Sequence, residues 1–163
     1  MSPTTRKTLT SILNQQYLCE SLTIKEVETL LDFTEFVTFD RDAVIADAGE
    51  VGDALYFVIK GEAALIYSDN GQDMEVGRMV EGELMGEMSF FDREPRLLAM
   101  RALKDDTQVL KLTRKMYERL RVEYPYIAVN LLEHAIISLD HLVRRVSEQE
   151  VTLSRYIFGP GKR

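Results

Sequence analysis

Cysteines and long apolar segments are both scarce in this sequence. Cys19 is the only cysteine among 163 residues, which excludes an intrachain disulfide and a zinc site built from paired cysteines. No apolar run approaches the roughly 20 residues that a membrane-spanning helix needs. Residues 1–18 carry polar side chains throughout and offer no signal-peptide hydrophobic stretch. The sequence therefore predicts a cytoplasmic protein without a membrane anchor.

Basic residues are outnumbered by acidic ones. Lys and Arg total 20 against 27 Asp and Glu, which gives a formal net charge of −7 and a pI of about 4.9. This balance disfavours a nucleic-acid-binding surface, because such affinity rests mainly on cations that neutralise phosphates. It still allows one small anion in a local pocket, where a single arginine and backbone amides outweigh distant acidic charges. The hydrophobic fraction of 45% indicates a globular domain with a real core.

The first 35 residues have a helical pattern. Thr23 and Glu26 stand three residues apart, as in a capping box, where each side chain bonds the backbone N–H of the other residue. The apolar residues that follow recur on one helical face: Ile24, Val27, Leu30 and Leu31. We therefore expect residues 1–35 to form an N-terminal helical segment.

Residues 36–112 have the short apolar segments and turn residues of a β region. The strand candidates are Phe36–Phe39, Ala43–Ile45, Leu55–Ile59, Ala63–Tyr67, Leu97–Leu103 and Gln108–Leu112. Asn70 and Gly71 predict a type I′ hairpin, because both residues tolerate positive φ. About eight short strands at close spacing with Gly-rich turns predict a sandwich, barrel or jelly roll.

The helical pattern returns in residues 113–158. Thr113 can cap a helix to about Val122, and Pro125 is tolerated in the first turn of a second helix that ends near Phe158. Its apolar stripe has the three–four spacing of a coiled coil: Leu132, Ala135, Leu139, Leu142, Val146, Gln149 and Leu153. A helix of this length spans about 50 Å, so we expect a homodimer through Pro125–Phe158. Residues 159–163 are expected to be a disordered tail.

Residues 82–98 interrupt the strand pattern in the middle of the β region. Gly86 lets a backbone approach a ligand closely, and Glu87–Phe91 has the composition of a short helical turn whose N–H groups suit an anion. Arg96, which follows a rigid proline, can clamp phosphate oxygens with two donors. The Glu87 carboxylate repels phosphate but accepts hydrogen bonds from hydroxyls, such as those of a ribose. Taken alone, Glu87 and Arg96 also fit solvated turn residues or a salt bridge.

The wider sequence resembles the cyclic-nucleotide-binding family. Residues 85–91 and Pro95-Arg96 match the family's phosphate-binding cassette, Phe-Gly-Glu-x-Ala/Ser-Leu-Leu, a short gap, then Pro-Arg-Ala/Ser-Ala. Residues 49–62 match its first hairpin, and Gly82-Glu83 precedes the cassette as it does in the family. The resemblance covers Leu18–Ser154. It implies an eight-stranded antiparallel jelly roll between an N-terminal helical segment and two C-terminal helices.

The resemblance also implies which residues contact a ligand: Gly86, Glu87, Met88, Ser89, Arg96, Leu97 and Leu98. Glu87 would bind the ribose hydroxyl and Arg96 the cyclic phosphate, with backbone or hydroxyl contacts from residues 86, 88 and 89. Leu97 and Leu98 replace a small pair, so a backbone N–H survives, a serine hydroxyl is lost and the pocket wall is crowded. Where relatives recognise adenine with polar side chains, the long helix offers Leu139, Leu142 and Val143.

A regulatory ligand-binding module, not an enzyme, is the function that this resemblance implies. Cyclic AMP is the first expected ligand and cyclic GMP the second, and binding would reposition the C-terminal helices to signal to an unknown protein effector. Direct DNA binding is not expected, because the nine residues after Ser154 are too few for a helix-turn-helix. The alternative is a degenerate fold that lost its ligand and acts as a dimerisation module. Leu97 and Leu98 support that alternative.

Two histidines on the long helix raise the question of a metal site. His134 and His141 lie seven residues apart, whereas metal pairs on a helix usually sit four apart, and no third ligand is evident. We therefore expect surface or interface histidines and no metal.

Overall fold

The computed structural model describes residues 2–16 and 19–158, which form two antiparallel sheets flanked by helices. The predicted disordered tail, residues 159–163, lies outside the described residues. The helices are α1 (Pro3–Asn14), α2 (Ile24–Asp32), α3 (Glu87–Asp92), α4 (Arg114–Glu123) and α5 (Pro125–Phe158). The strands are β1 (Glu35–Phe39), β2 (Val44–Ala46), β3 (Ala54–Lys60), β4 (Ala63–Asp69), β5 (Gln72–Met79), β6 (Leu84–Met85), β7 (Ala99–Ala102) and β8 (Thr107–Thr113). The prediction of eight antiparallel strands with flanking helices is confirmed.

The strands divide into two four-stranded sheets. The first has the order β1-β8-β3-β6 and the second the order β2-β7-β4-β5. Leu110 in β8 lies opposite both Phe36 in β1 and Phe57 in β3, which sets the register of the first sheet. The β4–β5 hairpin turns at Asn70 and Gly71, whose φ angles of 50° and 78° suit the predicted type I′ turn. We call the two packed sheets the roll.

Strand β3 is buried on both faces, which explains its continuous apolar sequence. Leu55, Phe57 and Ile59 pack with the helices on the outside of the first sheet. Tyr56 and Val58 point the opposite way, into the interior between the two sheets. Because β3 belongs to both cores, it fixes the position of the roll relative to the helices.

Side-chain caps start α2 and α4 where the sequence predicts them. The Thr23 hydroxyl accepts from the Glu26 N–H at 3.2 Å, and the Glu26 carboxylate accepts from the Thr23 N–H at 3.0 Å. The Thr113 hydroxyl accepts from the Met116 N–H at 3.3 Å at the start of α4. Both caps satisfy N–H groups that the first turn of a helix leaves unpaired.

Helix α5 has 34 residues and the bounds that the sequence predicts. The predicted coiled-coil stripe is wrong at Ala135, which is 4% exposed and packs in the domain's own core with Ala128 and Leu131. The exposed apolar side chains are instead Val129, Ile136 and Val143, spaced by seven. Leu142, Val146, Gln149 and Leu153 of the predicted stripe have side chains outside the described part of the structure. Among the described residues, no helix combines the length and apolar character needed to cross a bilayer.

The capping box of α2 gives a first testable prediction. Thr23→Ala removes the acceptor for the Glu26 N–H, so the free energy of unfolding should fall by about 1 kcal/mol. Thr8→Ala is the matched control, because the Thr8 hydroxyl bonds a carbonyl within α1 and caps no helix end. Urea unfolding measures both variants. Equal stabilities would show that the capping box contributes nothing.

Candidate functional site

Gly86 forms the sharp entry into α3, the short helix that the sequence predicts in the cassette. Its φ is 87°, a conformation that other residues rarely adopt. A Cβ there would lie 3.2 Å from the Ala54 carbonyl oxygen and 3.4 Å from the Tyr56 ring. The backbone at residue 86 therefore lies directly on β3, at a site that accepts only glycine without strain.

Arg96 is buried, with 9% of its surface exposed. Its backbone is held on both sides by the loop before β3, since the Arg96 N–H donates to the Glu50 carbonyl at 2.9 Å and the Gly49 N–H donates to the Arg96 carbonyl at 2.7 Å. Its Nε and Nη2 are buried and have no hydrogen-bond partner among the described residues. Two unpaired donors on a buried cation are destabilising, and they form a ready site for an anion.

Glu87 is buried at 4% exposure, although it is a carboxylic acid at the first position of α3. Burial raises the pKa of Glu87, and the neighbouring Glu83 carboxylate raises it further, while hydrogen bonds from its own N–H and from Ser138 lower it. A carboxylate has about four acceptor positions, so beside these two hydrogen bonds it can still accept from ligand hydroxyls.

Ser138 is a site residue that the sequence reasoning missed. Its hydroxyl lies on α5, 3.2 Å from the Leu84 carbonyl oxygen and within hydrogen-bond reach of Glu87, and its one proton is donated to either acceptor in turn. The reasoning considered Leu139, Leu142 and Val143 on this helix instead. In the sequence, residue 138 stands out only as a hydroxyl residue within an apolar stretch. Its relation to the cassette depends on the packing of α5 on β6, which the sequence does not show.

Ser89 holds the cassette together with its side chain. Its hydroxyl accepts from the Gly52 N–H at 2.7 Å and donates to the Glu94 carbonyl. Because the hydroxyl proton is already donated, a ligand contact from Ser89 falls to its backbone N–H. Met88, the neighbouring predicted contact, has a side chain that is 57% exposed.

The two leucines after Arg96 have different positions. Leu97 is 78% exposed, so its side chain does not fill the pocket wall, and the predicted crowding is wrong for this residue. Leu98 is half-buried and packs against the interior cluster of the roll. Only Leu98 therefore takes up space inside the roll.

Arg114, the first residue of α4, ties α3 to the rest of the domain. One guanidinium nitrogen donates to the Gly52 carbonyl at 2.7 Å and to the Phe90 carbonyl at 2.6 Å. The guanidinium also stacks 4.4 Å from the centre of the Phe90 ring, and Tyr117 packs edge-on against that ring. Sequence reasoning missed both residues, because nothing in their spacing relates α4 to the cassette.

His134 is buried, so the expectation of a surface or interface histidine is wrong for it. Burial lowers the pKa of His134, and a hydrogen bond to the backbone of Gly82 opposes that change. His134 and Ser138 therefore attach successive turns of α5 to residues 82–84, directly before the cassette. His141 is exposed.

The cassette thus combines a buried cation with unpaired donors, a buried carboxylate and a close-approach glycine on one side of an antiparallel roll. Donors of this kind suit an anionic group, and the carboxylate suits hydroxyl groups. The fold and the site together define a binding domain for a small ligand that carries both an anion and hydroxyls.

The chain belongs to the cyclic nucleotide-binding domain family, whose model matches residues 36–124, more than half of the chain. It is similar to the cyclic AMP receptor protein of Thermus thermophilus, with 30% identity over 156 residues, 88% of this chain and 72% of that protein. It is also similar to a cyclic nucleotide-binding domain of known structure from Methylobacillus flagellatus. That structure has a TM-score of 0.78, 22% identity and coverage of 91% of this chain and 84% of that one.

Longer proteins carry similar segments. A cGMP-dependent protein kinase from Eimeria tenella is 29% identical over 105 residues, which are 64% of this chain and only 10% of the kinase. The similarity to that protein therefore concerns a short segment and not the kinase as a whole.

The pKa of Glu87 gives a second prediction. A carboxyl with a higher pKa in the folded state binds more protons when folded, so its stabilising contribution is complete below the unfolded pKa and is lost as pH rises through the folded pKa. Because burial raises the pKa of Glu87 above 4.5, Glu87→Gln should be more stable than wild type at neutral pH. The difference should shrink as the pH falls toward 4.5.

Urea unfolding at several pH values measures this difference. Glu94→Gln is the control, because it makes the same exchange at a side chain that is exposed rather than buried. A Glu87→Gln protein that is less stable than wild type at neutral pH would contradict the prediction.

Proposed function

We propose that this chain is a regulatory module that binds a cyclic nucleotide, with cyclic AMP as its main ligand. The observation that carries the proposal is Arg96, whose buried Nε and Nη2 have no partner among the described residues. In the proposed complex these donors bind the cyclic phosphate, and the Glu87 carboxylate accepts from the ribose hydroxyl. Backbone groups of Gly86, Met88 and Ser89 complete the phosphate contacts, with residues 97 and 98 at the edge of the site.

Two comparisons support a cyclic nucleotide of this kind. The relative from Thermus thermophilus, which matches most of this chain, is named as a cyclic AMP receptor protein, and this favours cyclic AMP. The kinase is named for cyclic GMP but matches a shorter segment, so cyclic GMP is the second candidate ligand. The buried unpaired donors of Arg96 also argue against a degenerate module, because a site without a ligand gains nothing from an unpaired buried cation.

Arg96→Leu tests the proposed phosphate contact. Loss of the charged partner of a desolvated anion should weaken cyclic AMP binding by about 2–5 kcal/mol, which is a rise in Kd of at least about thirtyfold. The fold should remain intact, because the variant removes a buried cation whose Nε and Nη2 have no partner among the described residues. Isothermal titration calorimetry measures the affinity, and urea unfolding checks the fold.

Arg93→Asn is the matched control for this experiment. It removes a positive charge three residues from Arg96, and asparagine tolerates the φ of 61° at this position. Its Kd should stay near that of wild type. An Arg96→Leu protein that binds like wild type would remove Arg96 from the phosphate contact. A folded wild-type protein that binds neither cyclic AMP nor cyclic GMP would favour the ligand-independent dimerisation module.

The proposed signal passes from the cassette to the C-terminal helices. Arg114 and Tyr117 attach α4 to α3, and Ser138 attaches α5 to the strand that enters the cassette. A ligand that binds Arg96 and Glu87 differently in two arrangements of these helices would shift the population between them. The proposed receiver is a protein effector rather than DNA, and the chain's part is regulatory rather than catalytic.

We also propose that α5 mediates a homodimer. Val129, Ile136 and Val143 are exposed at intervals of seven, and Leu132 and Leu139 stand three residues after the first two and are only half-buried. β-branched residues at one core position and leucines at the other favour two-stranded parallel coiled coils. A second copy of this chain offers the same apolar seam in the same register, which makes it the occupant that fits this face.

Ile136→Glu tests the dimer. A charge in the middle of the seam should convert the protein to a folded monomer at micromolar concentration, as measured by light scattering coupled to size exclusion. Ile24→Glu is the matched control, because it makes the same change at an isoleucine of similar exposure, 59% against 66% for Ile136. Monomeric wild-type protein, or an unchanged dimer in Ile136→Glu, would contradict this seam.

A further inference from the structure

A cleft apart from Arg96 and Glu87 lies between the end of α1, the turn before β6 and one face of α5. Its volume is about 550 Å³, within the range of small-molecule sites. Gln16 contributes from the end of α1, Glu81 and Glu83 from the turn, and Ile137 and His141 from α5. Neither Glu87 nor Arg96 is among its lining residues. We call it the α1–α5 cleft.

Two oxygen acceptors in the wall of the α1–α5 cleft are left without a donor. The Gln16 Oε1 and Glu83 Oε2 atoms are both buried and have no hydrogen-bond partner among the described residues. Such groups are rare in folded proteins, since an unpaired buried carboxylate oxygen loses its hydration without compensation. The α1–α5 cleft therefore presents acceptors that a donor-bearing ligand would satisfy.

The charge of the α1–α5 cleft also favours a cation. Glu81 and Glu83 bring two carboxylates to the turn. Arg144 and Glu148 also line the cleft, so its acidic groups outnumber its one guanidinium. That guanidinium forms an ion pair with Asp140 at 2.9 Å, which reduces its effect on the cleft. Burial lowers the pKa of His134, which favours the neutral form of this imidazole. Ile137 supplies an apolar surface for the carbon chain of a ligand.

We propose that the α1–α5 cleft binds a small organic cation, namely a protonated aliphatic amine or guanidine. The N–H groups of the ligand donate to Gln16 Oε1 and Glu83 Oε2, and its methylene groups lie against Ile137. The cleft borders the proposed nucleotide site, because Ser138, which lies next to Glu87, also lines the cleft. The proposed nucleotide contacts themselves, Arg96 and Glu87, are not among its lining residues. Two unpaired oxygen acceptors in an acidic cleft point to this class of ligand.

Calorimetry with the full chain tests the proposal, with agmatine and 1,4-diaminobutane as the probes and no nucleotide present. Binding of at least one probe is expected. Glu83→Gln keeps the shape of the side chain but removes its charge, so the Kd should rise about tenfold or more. Asp69→Asn is the charge-matched control. Asp69 ends β4 and lies opposite the start of the eight-residue strand β5, about 25 Å from the turn that follows β5, so its exchange should leave the Kd unchanged.

A second measurement locates the probe and does not depend on the Glu83 variant. In NMR titrations the imidazole signals of His134 and His141 should shift with the probe in wild type, and they should shift equally in Arg96→Leu. Absence of binding by both amines at millimolar concentration would overturn the proposal. Equal weakening by Glu83→Gln and Asp69→Asn would overturn it too, because it would show only attraction to an acidic protein. Failure of cyclic AMP to bind would leave these results unaffected, so the two proposals are judged separately.

Discussion

The buried Arg96 guanidinium, whose Nε and Nη2 have no hydrogen-bond partner among the described residues, is the constraint that organises the candidate site. Arg96 is kept there by two backbone hydrogen bonds to residues 49 and 50, which fix its position from both sides. Burying unpaired charge opposes folding, so stability must come from elsewhere. Apolar burial in the two cores, to both of which β3 contributes, opposes this cost.

The cassette is held by contacts from several parts of the chain. The Ser89 hydroxyl binds the backbone of Gly52, Arg114 binds the carbonyls of Gly52 and Phe90, and Ser138 binds the carbonyl of Leu84. These contacts connect α3 to the loop before β3 and to α4, and they connect β6, directly before α3, to α5. A change in the position of α3 would therefore be felt directly by both C-terminal helices, as the proposed signal requires.

The sequence differs from the family's cassette at Leu97 and Leu98, but the structure shows that Leu97 has little effect on the space inside the roll. The side chain of Leu97 is exposed to solvent and takes up no space in the interior. A leucine in place of the family's small residue also keeps the backbone N–H at this position. Ser89, in contrast, matches the family pattern, but its hydroxyl donates its proton to the Glu94 carbonyl and has none to donate to a ligand. Agreement with a motif therefore says which residues are at the site, whereas the surrounding packing decides which of their atoms are available to a ligand.

Local patterns determined much of this protein without any knowledge of its tertiary structure. The capping box at Thr23, the turn at Asn70-Gly71, the short helix after Gly86 and the bounds of α5 all depend on neighbours in sequence, so spacing and residue type were enough. Contacts between distant segments decided the rest. Ala135 packs inward, Leu97 points outward, and Ser138 and Arg114 reach the cassette only because α4 and α5 dock on the roll. The periodicity of a helix shows that it has an apolar face, but how that face divides between the domain and a partner depends on how the helix packs.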